Sequence, residues 1–306
     1  MRLIFIATGD ISLPSFRHLL EHGPRPLALV TQPDKPVGRH QVLTPPAIKI
    51  EALAAGIPVF QPEKIGDITA ELAALDPELL VVMAYGQILR KDILTLASKA
   101  IINLHASILP KYRGAACIQA AIDAGEEETG ITVMHVVRQL DAGDVILIKT
   151  IPIALDETGG TLHDRLALLA PEALSEAIAK LSDGTAVRIP QNDSLSSYIS
   201  KLERDDGRLD WTQLAAHIAR RIRAYDPWPG TFTLALEGEK EKRLKIFPPT
   251  ELVHHILAPG EIANIEGHLI VGCGKGSLRL ENVQPDGGRR MSAGDYLRGR
   301  KPESFR

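Results

Sequence analysis

Short apolar runs alternate with helix-patterned segments throughout the first half of this chain, and that alternation admits few folds. Strands are expected over Arg2–Ala7, Leu27–Thr31, Leu79–Ala84 and Ala100–His105. Helices are expected near Pro14–His22, Pro46–Ala55, Thr69–Leu75 and Ala115–Ala124. Strand–helix–strand units of this kind build a mostly parallel sheet covered by helices on both faces. Two further strands, Gly130–Val137 and Asp144–Ile153, flank a turn, and a helix follows at about Thr161–Leu181. The first half is therefore α/β, and ligands in such sheets bind beyond the carboxyl ends of the strands.

After Asp183-Gly184 the pattern weakens. Residues 190–208 hold Pro190, several serines and the charge-rich run Lys201–Arg208, the composition of an interdomain connection. A helix at Trp211–Ala224 leads into the rigid turn Tyr225-Asp226-Pro227-Trp228-Pro229-Gly230. Short β-like runs follow at Thr231–Leu236, Arg243–Phe247, Gly260–Ile265, Leu269–Val271 and Leu278–Val283, separated by Gly and Pro turns. They point to a small barrel of the oligonucleotide-binding (OB-like) kind. The expected organisation is 1–189, a linker at 190–208, and a barrel domain at 209–306, which 306 residues can fill with two separate cores.

The composition, 44% hydrophobic and 24% charged, is that of a soluble globular protein, and no apolar run reaches membrane-spanning length. Asp10 interrupts the opening apolar run before any cleavage site, so the start reads as a first strand and the expected location is the cytoplasm. Two cysteines, Cys117 and Cys273, are too few for a disulfide framework or a cysteine zinc site. Cys117 reads better as a small buried helix residue than as a nucleophile. No phosphate-loop or dinucleotide fingerprint is present, and Gly272–Gly276 reads as a hairpin turn. The net charge of −3 is uneven: residues 201–306 carry +3 and residues 1–200 carry −6. Alone, that asymmetry is weak evidence for a polyanion partner.

The chemistry is concentrated in Asn103-Leu104-His105-Ala106-Ser107-Ile108-Leu109-Pro110-Lys111-Tyr112-Arg113-Gly114. Residues 103 and 105 share a face because strand side chains alternate with period two. An amide and an imidazole thus point into one space at the end of a strand. Asp141, in Leu140-Asp141-Ala142-Gly143, supplies a carboxylate. An amide, an imidazole and a carboxylate suit acyl-group transfer better than metal or redox chemistry. Taken singly, each has an ordinary explanation as a strand end or a turn cap. The pairs His18/His22 and His254/His255 lack the third ligand of a zinc site, and no metal is expected.

These motifs resemble those of the methionyl-tRNA formyltransferase family over essentially the whole chain. Asn103–Pro110, continuing through Arg113-Gly114-Ala115-Ala116, is similar to the formyltransferase motif, and Leu140–Gly143 to the segment holding its aspartate. Both also occur in folate-dependent formyltransferases acting on purine precursors or amino sugars. Three matches favour the tRNA branch: the loop Thr31–Arg39, the signature Arg221–Pro229, and the appended second domain. Departures are Ala7-Thr8-Gly9 in place of a Gly-Thr-Pro turn, Cys117 in place of a proline, and Asp226 in place of an asparagine.

The resemblance implies a formyltransferase-type, Rossmann-like sheet with an OB-like C-terminal barrel. It implies 10-formyltetrahydrofolate as formyl donor and the α-amine of initiator methionyl-tRNA as acceptor, with no membrane partner and a monomeric protein. Asn103, His105 and Asp141 are the implied catalytic residues. Ser107, Ile108, Leu109 and Pro110, with Tyr85, Gly86 and Gln87, are the implied folate wall. Arg39, Lys201, Arg204, Arg220 and Arg223 are the candidate tRNA contacts; 220 and 223 share a helix face, whereas 221 points elsewhere. Two alternatives stand beside this reading: formyl transfer to an amino sugar or purine precursor, and a non-catalytic RNA-binding protein that kept a folate fold.

Overall fold

The computed structural model describes residues 1–38 and 40–306; Arg39, proposed from sequence for RNA contact, lies outside them. The chain divides into two compact units. The first comprises Met1–Gly114, Thr129–Ile151 and His163–Ile199, and the second Ala115–Glu128, Pro152–Leu162 and Ser200–Arg306.

The first unit is built on a seven-stranded sheet. Its spatial order is Val145–Pro152, Glu128–His135, Ala100–His105, Leu79–Met83, Leu3–Ala7, Ala28–Val30, Val59–Phe60. The five strands from Ala100–His105 to Val59–Phe60 pair in parallel, and Glu128–His135 joins Ala100–His105 antiparallel. Central strands covered on both faces must be apolar throughout, and every residue of Leu3–Ala7 and Leu79–Met83 is buried. Across the second to fourth strands of this order, register places Val82 beside Asn103 and Thr132 beside His105. The expected helices form at Leu13–His22, Ala47–Ala54, Thr69–Ala74 and Gly159–Asp183. Lys35–Val37 and Val42–Thr44 form an antiparallel hairpin where the sequence showed only a loop.

The second unit holds an antiparallel sheet with strand order Ile262–Ile265, His268–Gly272, Ser277–Pro285, Lys240–Val253, Thr231–Glu237, Ser304–Phe305. Glu261 bridges back to Ser304, and Phe305 N donates to Gly260 O at 2.8 Å, so the sheet nearly closes on itself and leaves little free edge. Gly272 and Ser277 bound the hairpin expected at the Gly-rich run. The interior is filled by Leu209, Trp211, Ile222, Leu244, Leu280 and Phe305. Trp211 satisfies its indole N–H on Thr233 Oγ1 at 2.9 Å.

The helix expected from Trp211 begins only at Ala215. Asp210 holds the preceding residues in a turn, accepting hydrogen bonds from Thr212 N at 3.0 Å and Gln213 Nε2 at 3.0 Å. The helix Cys117–Ala124 joins this unit through Asp123, which pairs with Arg221 at 2.7 Å and His217 at 3.3 Å. Cys117 is buried at its first position.

Asp226 is half-buried in this unit, and burial raises its pKa above the ordinary aspartate value, with Arg290 partly opposing that. A carboxylate whose folded pKa is raised favours the folded state when protonated, and that contribution is lost as pH rises through the folded pKa. Its charge is therefore a cost at neutral pH. Asp226→Asn should raise the thermal midpoint at pH 7, with the gain shrinking as pH falls toward 4; melting curves at the two pH values check this.

Candidate active site

The site forms where the strand Ala100–His105 ends at the carboxyl edge of the sheet. Asn103 and His105 project from one face, as period two requires, and the turn after Glu128–His135 brings Asp141 to them. Asp141 Oδ2 lies 3.6 Å from His105 Nδ1, and Oδ1 accepts a long hydrogen bond of 3.4 Å from Asn103 Nδ2. Asp141 Oδ2 also accepts the backbone N–H of Gly114 at 2.8 Å. His105 Nε2 lies 2.8 Å from the carbonyl of Tyr112. A carbonyl can only accept, so Nε2 carries a proton and Nδ1 is the ring position facing the carboxylate. His105 is 7% exposed, so its contact with Asp141 sits largely out of water, where a positive charge on the ring would be little screened.

Tyr112, Arg113 and Gly114 thus hold two of the three side chains. Gly114 has φ +103°, and a Cβ there would stand 2.3 Å from Ile199 O. That close approach is a parallel pairing of Arg113–Gly114 with Tyr198–Ile199. Arg113 is completely buried. Its guanidinium donates to Gln191 Oε1 at 3.1 and 2.8 Å, Tyr198 Oη at 2.8 Å and Asp193 Oδ1 at 2.7 Å. Burial works against its charge, but the bonds to Tyr198 and Asp193 outweigh that and raise its pKa. Residues 190–199, which sequence offered only as a connection, are therefore part of this neighbourhood. Their partners are main-chain groups and a distant arginine, which leave no local spacing to read.

The residues expected to face folate lie around the ends of two adjacent parallel strands. Ser107 is buried, its hydroxyl donating to Lys111 O at 2.8 Å. Thr132 Oγ1 donates to Ser107 O at 2.6 Å and accepts Leu109 N at 3.2 Å, which fixes the path of Ser107–Pro110. Ile108 and Pro110 are half-buried and Leu109 is buried. The Tyr85 phenol is buried among apolar side chains, which pushes its pKa up to about 12. Gly86 has φ +85° with open space where a Cβ would be, and the neighbouring Ile88 is 77% exposed. Gln87 uses its amide locally, accepting from Ile65 N at 3.0 Å and donating to Glu63 O at 3.1 Å. At the departure Ala7-Thr8-Gly9, a Cβ on Gly9 would meet Ala84 Cβ at 3.0 Å, and Thr8 Oγ1 accepts from Gln32 N at 3.1 Å.

The candidate RNA contacts fall elsewhere. Lys201 and Arg204 are exposed. Arg220 Nε donates to Asp123 O at 3.0 Å and Arg223 Nη1 to Glu157 O at 2.8 Å, so both already brace the second unit. His18, whose spacing invited a metal reading, meets Ser175 Oγ through Nε2 at 2.7 Å.

Residues 2–178 match the formyl transferase family model, and residues 201–301 match the model of the formyl transferase C-terminal domain. The chain is 50% identical over 304 residues to a methionyl-tRNA formyltransferase of Akkermansia muciniphila, covering 98% of this chain and 96% of that protein. It is 42% identical to one of Geobacter metallireducens, with the same two coverages of 98% and 96%. Among solved structures, an N-formyltransferase from Helicobacter canadensis in complex with folinic acid and dTDP-3-aminofucose superposes with a TM-score of 0.68 at 18% identity, covering 95% of this chain and 100% of that one. HypX from Aquifex aeolicus in complex with tetrahydrofolic acid gives 0.64 at 18%, over 97% of this chain and 47% of that one. At such identities the structures speak for the fold alone.

Gly114 answers to both its φ and its neighbour. Gly114→Ala should cost about 1–3 kcal/mol from backbone strain, with more from the clash at Ile199 O. Denaturant unfolding measures the loss, and limited proteolysis should show earlier cleavage within 190–199.

Proposed function

The chain belongs to the methionyl-tRNA formyltransferase family, and on that premise we propose that it moves the formyl group of 10-formyltetrahydrofolate to the α-amine of initiator methionyl-tRNA. The protein is an enzyme of formyl transfer. The observation that carries the finer reading is the convergence of Asn103, His105 and Asp141 at one strand end, 3.4–3.6 Å apart, in a chain that also has the family's second domain.

The residues present fit a donor whose ring faces can pack on apolar side chains and backbone. Gly86 leaves open space, Ile88 offers an exposed apolar side chain, and Ser107–Pro110 form a fixed wall on the neighbouring strand end. Tyr85 contributes its backbone to this wall, since its phenol is in the core; Gln87 shapes it by holding Glu63 and Ile65.

Attack of the amine on the formyl carbon places negative charge on the formyl oxygen. The Asn103 amide, which makes a long bond to Asp141, donates to that oxygen. His105 Nδ1 takes the proton the attacking nitrogen must lose, and the imidazolium is favoured by the adjacent Asp141 carboxylate. The same proton then passes to the departing folate nitrogen, which leaves His105 neutral for the next turnover. The Tyr112 carbonyl keeps the ring from rotating while this happens.

In this reading residues 1–189 carry the transfer chemistry, 190–208 connect the domains while their first ten residues also brace the site, and 209–306 bind tRNA. Lys201 and Arg204 track phosphates, Arg39 reaches the acceptor end, and Arg220 and Arg223 add positive potential from their braced positions. The protein works as a monomer in the cytoplasm. Among the described residues no helix is long and apolar enough to cross a membrane.

The test supplies 10-formyltetrahydrofolate with charged initiator tRNA in one reaction and a nucleotide-linked amino sugar in another. Formylation of the tRNA alone is expected, weakening as salt rises. Exclusive formylation of the sugar would overturn the acceptor assignment, and no turnover with either would overturn the activity. Asn103→Ala should lower kcat by about 10²–10³, the loss typical of one oxyanion donor.

A further inference from the structure

We infer that Gln191 is a positioning residue for the transfer: its carboxamide clamps the turn that presents Asp141, and through it sets the carboxylate against His105. The inference deepens the reading above and rests on it.

Gln191 Nε2 donates to the Asp141 carbonyl at 2.8 Å and to the Gly143 carbonyl at 2.8 Å. Its Oε1 accepts from Arg113 Nε at 3.1 Å and Nη2 at 2.8 Å. The orientation of this amide is therefore determined by chemistry. A guanidinium has no acceptor and two carbonyls have no donor, so flipping the amide would break all four bonds.

The turn needs such a clamp. Asp141 has φ +50°, a left-handed conformation that costs a non-glycine residue energy and persists only when its surroundings impose it. Gly143, two residues on, is so close to His135 that a Cβ would stand 1.7 Å from its carbonyl oxygen. Asp141 is thus held from two sides. Gly114 N grips its side chain at 2.8 Å, and Gln191 grips its main chain. Gln191 itself is anchored on Arg113, the residue before Gly114. The two grips share one origin, so the 3.6 Å separation of Asp141 Oδ2 from His105 Nδ1 depends on Gln191 without Gln191 touching either group that reacts.

Three purified variants and one double variant test this. Gln191→Glu keeps acceptors for Arg113 but faces two carbonyls with a carboxylate oxygen. It should lower kcat about 100-fold, as an ångström-scale misplacement does. KM for tRNA and folate should stay within about threefold, because binding surfaces elsewhere are untouched. Asn192→Ala removes the neighbouring side chain that accepts from Ser194 N at 3.1 Å, disturbing the same segment without reaching Asp141, and should leave kcat near wild type. In an Asp141→Asn background, adding Gln191→Glu should cost little more, since Gln191 acts through Asp141. Should Gln191→Glu fail to fold, Gln191→Met, neutral and of similar length, carries the same cycle.

Wild-type kcat in Gln191→Glu or Gln191→Met overturns the inference. So do losses that multiply fully with Asp141→Asn, or an equal loss in Asn192→Ala. Wild-type turnover in Asp141→Asn alone would instead sink the catalytic reading, and this inference with it.

Discussion

A guanidinium with no exposed surface must be paired on every side, and Arg113 shows what that requirement does to a site. Its guanidinium draws in Gln191, Asp193 and Tyr198, and the backbone on either side of it does the rest. The Tyr112 carbonyl takes His105, and the Gly114 amide takes Asp141. Three consecutive residues therefore hold an imidazole, a carboxylate and the segment that returns to brace them. Removing a partner of so buried a charge costs more than the pair itself is worth, because the orphaned charge has no water to turn to.

Most of the first sheet was legible because its strands are buried on both faces and must read as apolar runs. The strand Ala100–His105 has the expected bounds, and with them came the shared face of Asn103 and His105. What escaped was short, exposed or interrupted. Val59–Phe60 is a two-residue edge strand, and Lys35–Val37 with Val42–Thr44 is a hairpin whose residues are all exposed. Lys240–Val253 was read only as Arg243–Phe247, because Pro248-Pro249 ends the apolar pattern at the point where pairing with Ser277–Pro285 shifts register.

The candidate site divides along the same line. Asn103, His105 and Asp141 could be nominated from side-chain type and spacing, and the structure places them together. Gln191 could not, because an uncharged amide that binds carbonyls across roughly fifty residues of sequence carries no periodicity to read. Nor did spacing reveal that the amide of Gln87 and the guanidinia of Arg220 and Arg223 already serve as local braces. Sequence names the chemistry a side chain has; only the structure says whether that chemistry is already in use.

The parallel pairing of Arg113–Gly114 with Tyr198–Ile199 also has a meaning in time. Contacts across 85 residues carry a loop-closure cost that local helices and neighbouring strands do not. During synthesis, the sheet and all three polar side chains emerge before the segment that braces them. A nascent chain can thus bury its core while its carboxylate turn is still loose. The bracing of the carboxylate turn is complete only after residue 199 has been made, later than the strands of the core.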